Sequence, residues 1–158
     1  MATVGSASRV VAAKGQPIIV DQSLTKVATG PITPGYLVSY TSSGIALNGT
    51  ANKQVGRTFA LERTEMNKSI DDAYATGDQA AVGFFWPGQW VTAVIPSGTN
   101  VAVGDYLTPD AYGRLVAASS NPAIARAVEA VNNTNGNGNC LTASNGTGTD
   151  ARIMVELV

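Results

Sequence analysis

The stretch from Gly77 to Leu115 sets the tightest limit on the fold, because its large apolar residues come in short runs separated by chain breakers. Phe84, Phe85, Trp86, Trp90, Val91, Val94 and Ile95 crowd into it, cut by Pro87-Gly88 and by the turn Pro96-Ser97-Gly98. Runs of that length between breakers suit strands rather than helices. Within Trp90 to Ile95 one strand face carries Trp90, Thr92 and Val94 and the other Val91, Ala93 and Ile95. Both faces are apolar, so this strand is expected to be covered twice, with another subunit as a candidate for the second cover. Pro87-Gly88 fits the centre of a type II turn, with proline setting φ and glycine supplying the positive φ that follows. The two tryptophans then flank a bend.

The rest of the chain repeats the same grammar. Ile32 to Tyr40 reads as a turn feeding a strand, Thr41 to Gly44 as a turn, and Ile45-Ala46-Leu47 as a strand running into the turn dipeptide Asn48-Gly49. A strand over Val55 to Leu61 follows. The order recurs with Gly35/Gly104, Gly44/Gly113, Asn52/Asn121 and Arg57/Arg126 all 69 residues apart. Val38/Leu107, Leu47/Val116, Val55/Ile124 and Phe59/Val128 keep that register without a gap, which suggests two copies of one unit. Between the copies, Ser69-Ile70-Asp71-Asp72 resembles a capping box that starts a turn of helix. Asn121 to Val131 is read as a strand in preference to a helix. Ala151 to Val158 alternates, so it is a closing strand with Ile153, Val155 and Leu157 on one side.

The expected fold is therefore mainly β: a small β-barrel or β-sandwich with glycine-turn hairpins and at most one or two short helices. Residues 1–16 are small and polar apart from Val10 and Val11, and read as a flexible N-terminal arm; 17–158 form a single β-rich domain. The Asn/Gly-rich segment 132–150 is expected to be an exposed loop.

Composition removes several classes of function. Of 158 residues 13% are charged, against roughly a quarter in typical domains, and the net charge of -1 is scattered. Nothing in that pattern attracts nucleic acid or an anionic membrane. No apolar run approaches the roughly 20 residues that span a bilayer, and MATVGSASRVV lacks the apolar core of a secretion signal. The expectation is a soluble chain made in a reducing compartment. There is no histidine, hence no common general base, zinc ligand or partner for a Ser or Cys nucleophile. Cys140 is the single cysteine, so no internal disulfide forms, and no base is supplied to activate it. Asp105 and Asp110 form a conceivable carboxylate pair but sit where turn residues belong. Asp71, Asp72 and Asp78 are oxygen ligands in principle, yet their spacing is not that of a calcium loop. The reading is of a protein with no cofactor, no metal and no catalytic group.

A family resemblance accompanies these residues. Asp71 to Asp78, Val82-Gly83-Phe84, Pro87-Gly88, Ser97-Gly98, Val103 to Leu107, Gly113 to Val116 and Ala123 to Glu129 together resemble the head decoration (capsid cement) proteins of tailed bacteriophages. The resemblance covers roughly Val55 to Val131, and the Asn/Gly-rich loop departs from it. It implies a virion protein, made in the bacterial host cytoplasm, that binds the outer surface of the icosahedral head. There it clamps neighbouring major capsid proteins, often as a homo-dimer or homo-trimer. An apolar patch and multivalent attachment suit such a role. The candidate contacts to capsid or subunit are Arg9, Val10 and Val11 in the arm, with Phe85, Trp86 and Trp90. Phe84, Trp86, Trp90, Val94 and Ile95 are the expected core, so Trp86 and Trp90 carry both readings. The alternative function is a carbohydrate- or receptor-binding β module of a phage fibre or spike, with tryptophans stacking on sugar rings.

Overall fold

The computed structural model describes residues 10–15, 17–19, 27–138 and 148–158. It is mainly β, as the breaker-punctuated sequence requires. In chain order the strands are β1 (Ala12–Lys14), β2 (Ile18–Ile19), β3 (Val38–Thr41), β4 (Gly44–Leu47), β5 (Thr58–Leu61) and β6 (Ala81–Phe84). After them come β7 (Trp90–Ile95), β8 (Asn100–Val101), β9 (Tyr106–Pro109), β10 (Leu115–Ala117), β11 (Ala125–Ala127), β12 (Val131–Asn132) and β13 (Ala151–Leu157). A six-stranded antiparallel sheet runs β1-β7-β13-β11-β9-β10; β2-β6-β5 form a second sheet, and β3-β4 and β12-β8 are two-stranded.

The barrel alternative is corrected. The large sheet stays open, with β1 and β10 as unjoined edges. Both edges are short, β1 shifts register against β7, and the turn leading into β10 is met by the Leu37 N–H, which donates to the Gly113 carbonyl at 2.8 Å. Such edges do not pair with each other.

Alternation decides what lies inside. Val91, Ala93, Ile95, Ile153, Val155, Leu157, Leu107 and Leu115 point to one face of the large sheet and pack on Phe59, Leu61, Ala81 and Phe85 beside the second sheet. The β13 face expected from the sequence is buried in this core. The second sheet is covered on its other side too: Ala60 and Val82 pack with Val38, Ile45, Ile32 and Tyr74. Burying each Val, Leu, Ile or Phe side chain contributes about 1.5–3 kcal/mol, so these two layers carry the fold. Part of the second cover of Trp90–Ile95 comes from the same chain. Val94 packs on Tyr36, and Gly35 passes so close that a Cβ there would lie 3.0 Å from the Thr92 carbonyl oxygen.

The suspected duplication is visible in the hydrogen bonds, in a different register. Asn48 N–H donates to Leu37 O at 2.9 Å and Ala118 N–H to Tyr106 O at 2.8 Å. Gly35 N–H donates to Ala60 O, and Gly104 N–H to Ala127 O, both at 2.9 Å. Ala60 and Ala127 return bonds to Tyr36 O and Asp105 O. The copies thus align 69 residues apart in the first strand, 70 in the second and 67 in the third. The gapless alignment fails because the second copy has a hairpin turn one residue longer and a following connection three residues shorter. Phe59 corresponds to Arg126, not Val128, and the Arg57/Arg126 identity is accidental.

Two smaller expectations also change. Ser69 donates its hydroxyl and its backbone N–H to Asp72 Oδ2, at 2.6 and 2.9 Å, which is one half of a capping box. Asp72 N–H returns to the Ser69 carbonyl and not to its hydroxyl, and a non-helical turn follows instead of a turn of helix. The two bonds from Ser69 hold the Asp72 carboxyl below the ordinary carboxylate range. The helical turn lies earlier, at Thr64–Met66. At the N-terminus, Ala12–Lys14 pairs with β7 and Val11 is buried, so the part of the arm from Val10 to Gly15 belongs to the packed body.

Candidate interaction surface

One half of the outer face of the large sheet is open, and strand pairing places five side chains in a row across it. Lys14 on β1 lies opposite Trp90 on β7, Trp90 opposite Glu156 on β13, Glu156 opposite Arg126 on β11, and Arg126 opposite Tyr106 on β9. Directly paired residues share a face, so the row is a consequence of register alone. The Lys14 ammonium sits 4.7 Å from the centre of the Trp90 ring, and Arg126 Nη2 is 2.5 Å from Glu156 Oε2. Both contacts face water and each contributes about 1 kcal/mol or less. They arrange a surface more than they stabilise a fold.

Between Trp90 and the Val103-Gly104 turn lies a groove of about 260 Å³, floored by Arg126, Ala127, Val128 and Glu156. Val103 is 66% exposed and Tyr106 56%. Single exposed apolar residues are ordinary, but Val103 lines this groove together with a tryptophan, and Tyr106 stands next to Arg126 in the same row.

A second aromatic corner lies beside it. Trp86, 53% exposed, caps a turn closed by Gln89 N–H to Trp86 O at 3.2 Å and by the Gln89 side chain accepting from Trp86 N–H at 2.8 Å. Gly88 has φ 87°, as the type II turn demands. The Phe84 ring meets Trp86 edge-on at 5.4 Å. Arg57 donates to the Val158 carbonyl at 3.0 Å nearby.

No protein-family model matches this chain, and the curated proteins compared with it include no detectable relative.

The structure separates the candidate contact residues. Arg9 lies outside the described residues. Val10 and Trp86 are exposed and Trp90 is half-buried. Val11 and Phe85 are wholly buried, Phe85 meeting Phe59 edge-on at 5.8 Å, so their side chains hold the core together and do not reach a partner. Of the expected core set, Val94 and Ile95 are buried, whereas Phe84 is partly and Trp86 largely in water. The reason is parity. Phe85 continues the face of Ala81 and Gly83, which looks into the main core, and so turns Phe84 and Trp86 outward. Lys14, Val103, Tyr106, Arg126 and Glu156 were not identified from the sequence. Their signal was the polar phase of alternating strands, Arg126 between Ala125 and Ala127 and Glu156 between Val155 and Leu157.

The acidic residues are occupied structurally. Asp105 accepts from Ala102 N–H at 2.9 Å, and Asp110 accepts from Tyr112 N–H, Arg114 N–H and Arg114 Nε within its own turn. Asp71 pairs with Arg152 at 2.7 Å, Asp72 with Ser69, and Asp78 with Ala75 N–H. Among the described residues, no three His, Cys, Asp or Glu side chains gather as metal ligands. Cys140 lies outside the described residues.

On the covered half of the same outer face, where Arg152 lies opposite Val94 and Val94 packs on Tyr36, runs a buried polar network. Asp150, with no exposed surface, accepts from the Tyr36 hydroxyl at 2.8 Å and from Ser97 N–H at 3.1 Å, and lies 3.6 Å from Arg114 Nη1. Arg152, also buried, donates to Asp71 and to the Ile70 carbonyl. These pairs tie the base of the 132–150 segment and β13 to the first half of the chain.

Proposed function

We propose that this chain is a structural virion protein that binds the outer surface of an icosahedral phage head and stabilises contacts between neighbouring major capsid proteins. The observation that carries the reading is Trp86, a large aromatic side chain held in water on a rigid turn. Tryptophan is the residue most enriched among interface anchors, and a fixed turn presents it at little entropic cost. Val10 on the β1 edge and the Phe84 ring extend the apolar surface available to the capsid. The mode of action is bracing: one rigid β body spans adjacent capsid subunits, and many copies act together.

The test is co-sedimentation with purified empty heads of the phage whose genome encodes the chain. The wild-type protein is expected to sediment with the heads, and Trp86→Ala to bind with a Kd raised roughly 30-fold, for the loss of about 2 kcal/mol at an anchor. Failure of the wild-type chain to bind heads refutes the proposal. Glycan-array binding in its place would move the assignment to a receptor-binding module. Deleting residues 1–14 is a poor substitute, since it also removes β1 and the buried Val11.

A further inference from the structure

The order of side chains across the open face is chemically self-complementary. Reading β7, β13, β11, β9 gives Trp90, Glu156, Arg126, Tyr106. Turning that row end for end about a line midway between β13 and β11 puts Glu156 over Arg126, Arg126 over Glu156, Trp90 over Tyr106 and Tyr106 over Trp90. A two-fold axis lying in the interface and parallel to the strands performs this operation. Neighbouring centres fail: an axis along β13 sets Glu156 on Glu156, and one along β11 sets Arg126 on Arg126. With strands about 4.8 Å apart, the two aromatic flanks stand roughly 14 Å from each other, on either side of the paired charges. Glu156 and Arg126, the pair on either side of that line, both line the groove between Trp90 and Val103.

The internal repeat points the same way. Tyr106 and Arg126 correspond to Leu37 and Phe59 of the first copy, where the equivalent face is buried in the main core. One face of one structural unit is thus covered in the first copy, while in the second it stands open.

We propose that this face is a two-fold interface between two copies of the chain, with Glu156 of each copy meeting Arg126 of the other and Trp90 of each meeting Tyr106 of the other. The charges set register and exclude other alignments, and the aromatic pairs supply contact area. The dimer forms from free protein and does not depend on capsid binding.

Sedimentation velocity on the isolated chain at tens of micromolar tests it. The expected mass is twice the 16.2 kDa of one chain. Arg126→Glu sets acidic groups against acidic groups and Glu156→Arg basic against basic, so each variant alone is expected to be monomeric. Mixed in equal amounts, the two are expected to form heterodimers, because every cross-pair is then opposite in charge. The double exchange Arg126→Glu/Glu156→Arg is expected to dimerise like the wild type. Far-UV circular dichroism confirms folding of each variant. If either single variant fails to fold, Tyr106→Ala, altered at an exposed side chain, takes its place and is expected to weaken the dimer at least tenfold. A wild-type mass other than two copies, single variants that dimerise like the wild type, a mixture that stays monomeric, or Tyr106→Ala with unchanged dimerisation would each overturn the proposal. Because no heads are present, none of these outcomes bears on capsid binding.

Discussion

Replacing Asp150 by alanine isolates the value of the buried polar network. The substitution removes the acceptor of the Tyr36 hydroxyl and of Ser97 N–H, and takes one carboxylate away from Arg114. Breaking a buried ion pair outright costs about 3–5 kcal/mol. Arg114 keeps Asp110 at 2.7 Å, so the ionic share is smaller here. A lost hydrogen bond to a charged group adds about 1.5–3 kcal/mol. The expected total is about 3–4 kcal/mol. In urea, with m near 2 kcal/mol/M, the midpoint then falls by about 1.5–2 M. Asp150→Asn keeps an acceptor oxygen without the charge and should lose about half as much. Tyr36→Phe alone should cost about 1 kcal/mol, and far less in the Asp150→Ala background, giving a coupling of about 1 kcal/mol in the double-mutant cycle. A loss below about 1 kcal/mol for Asp150→Ala, or strict additivity with Tyr36→Phe, would refute the view that this carboxylate organises its surroundings.

Two further outcomes follow from the same geometry. Gly113 and Gly98 both have positive φ, 75° and 82°, but a Cβ on Gly113 would lie 2.5 Å from the Leu37 carbonyl oxygen while one on Gly98 meets open space. Gly98→Ala should therefore cost about 1–2 kcal/mol and Gly113→Ala at least twice that by thermal or urea unfolding; equal losses would remove the steric argument. Burial raises the Tyr74 hydroxyl above its ordinary value of 10.0, while the hydroxyl donates to the Leu61 carbonyl at 2.8 Å. A group raised on folding contributes stability that is complete below its unfolded value and disappears as pH climbs through the folded one. Urea stability should consequently decline above about pH 10, less steeply in Tyr74→Phe, and an identical decline in that variant would count against Tyr74 as the source.

What could be read in advance depended on how local the determinant was. The strand Trp90–Ile95, the Pro87-Gly88 turn and the buried face of β13 are written in adjacent residues, through breakers and alternation. Parity at Phe84-Phe85-Trp86 was not, because three aromatics in succession fit either face, and Phe59, distant in sequence, selects Phe85. The repeat was detectable through its glycines, yet its true register needed the hydrogen bonds, since turn length varies at little energetic cost. Asp150, Arg114 and Arg152 have no neighbours in sequence that mark them as buried. Their burial depends on partners 114, 36 and 81 residues away, a relation that a local reading does not contain. The open face escaped notice for a related reason: its members sit on five different strands and become neighbours only when the sheet assembles.

The position of β13 has a consequence for assembly order. It lies between β7 and β11, yet follows both along the chain. During synthesis the two halves of the large sheet emerge with facing rims and nothing to join them, and the ribosome delivers the joining segment after every strand it will touch. Completion is consequently a late, single zippering event, and the interval before it is when a stray strand from another nascent chain has the most to bind.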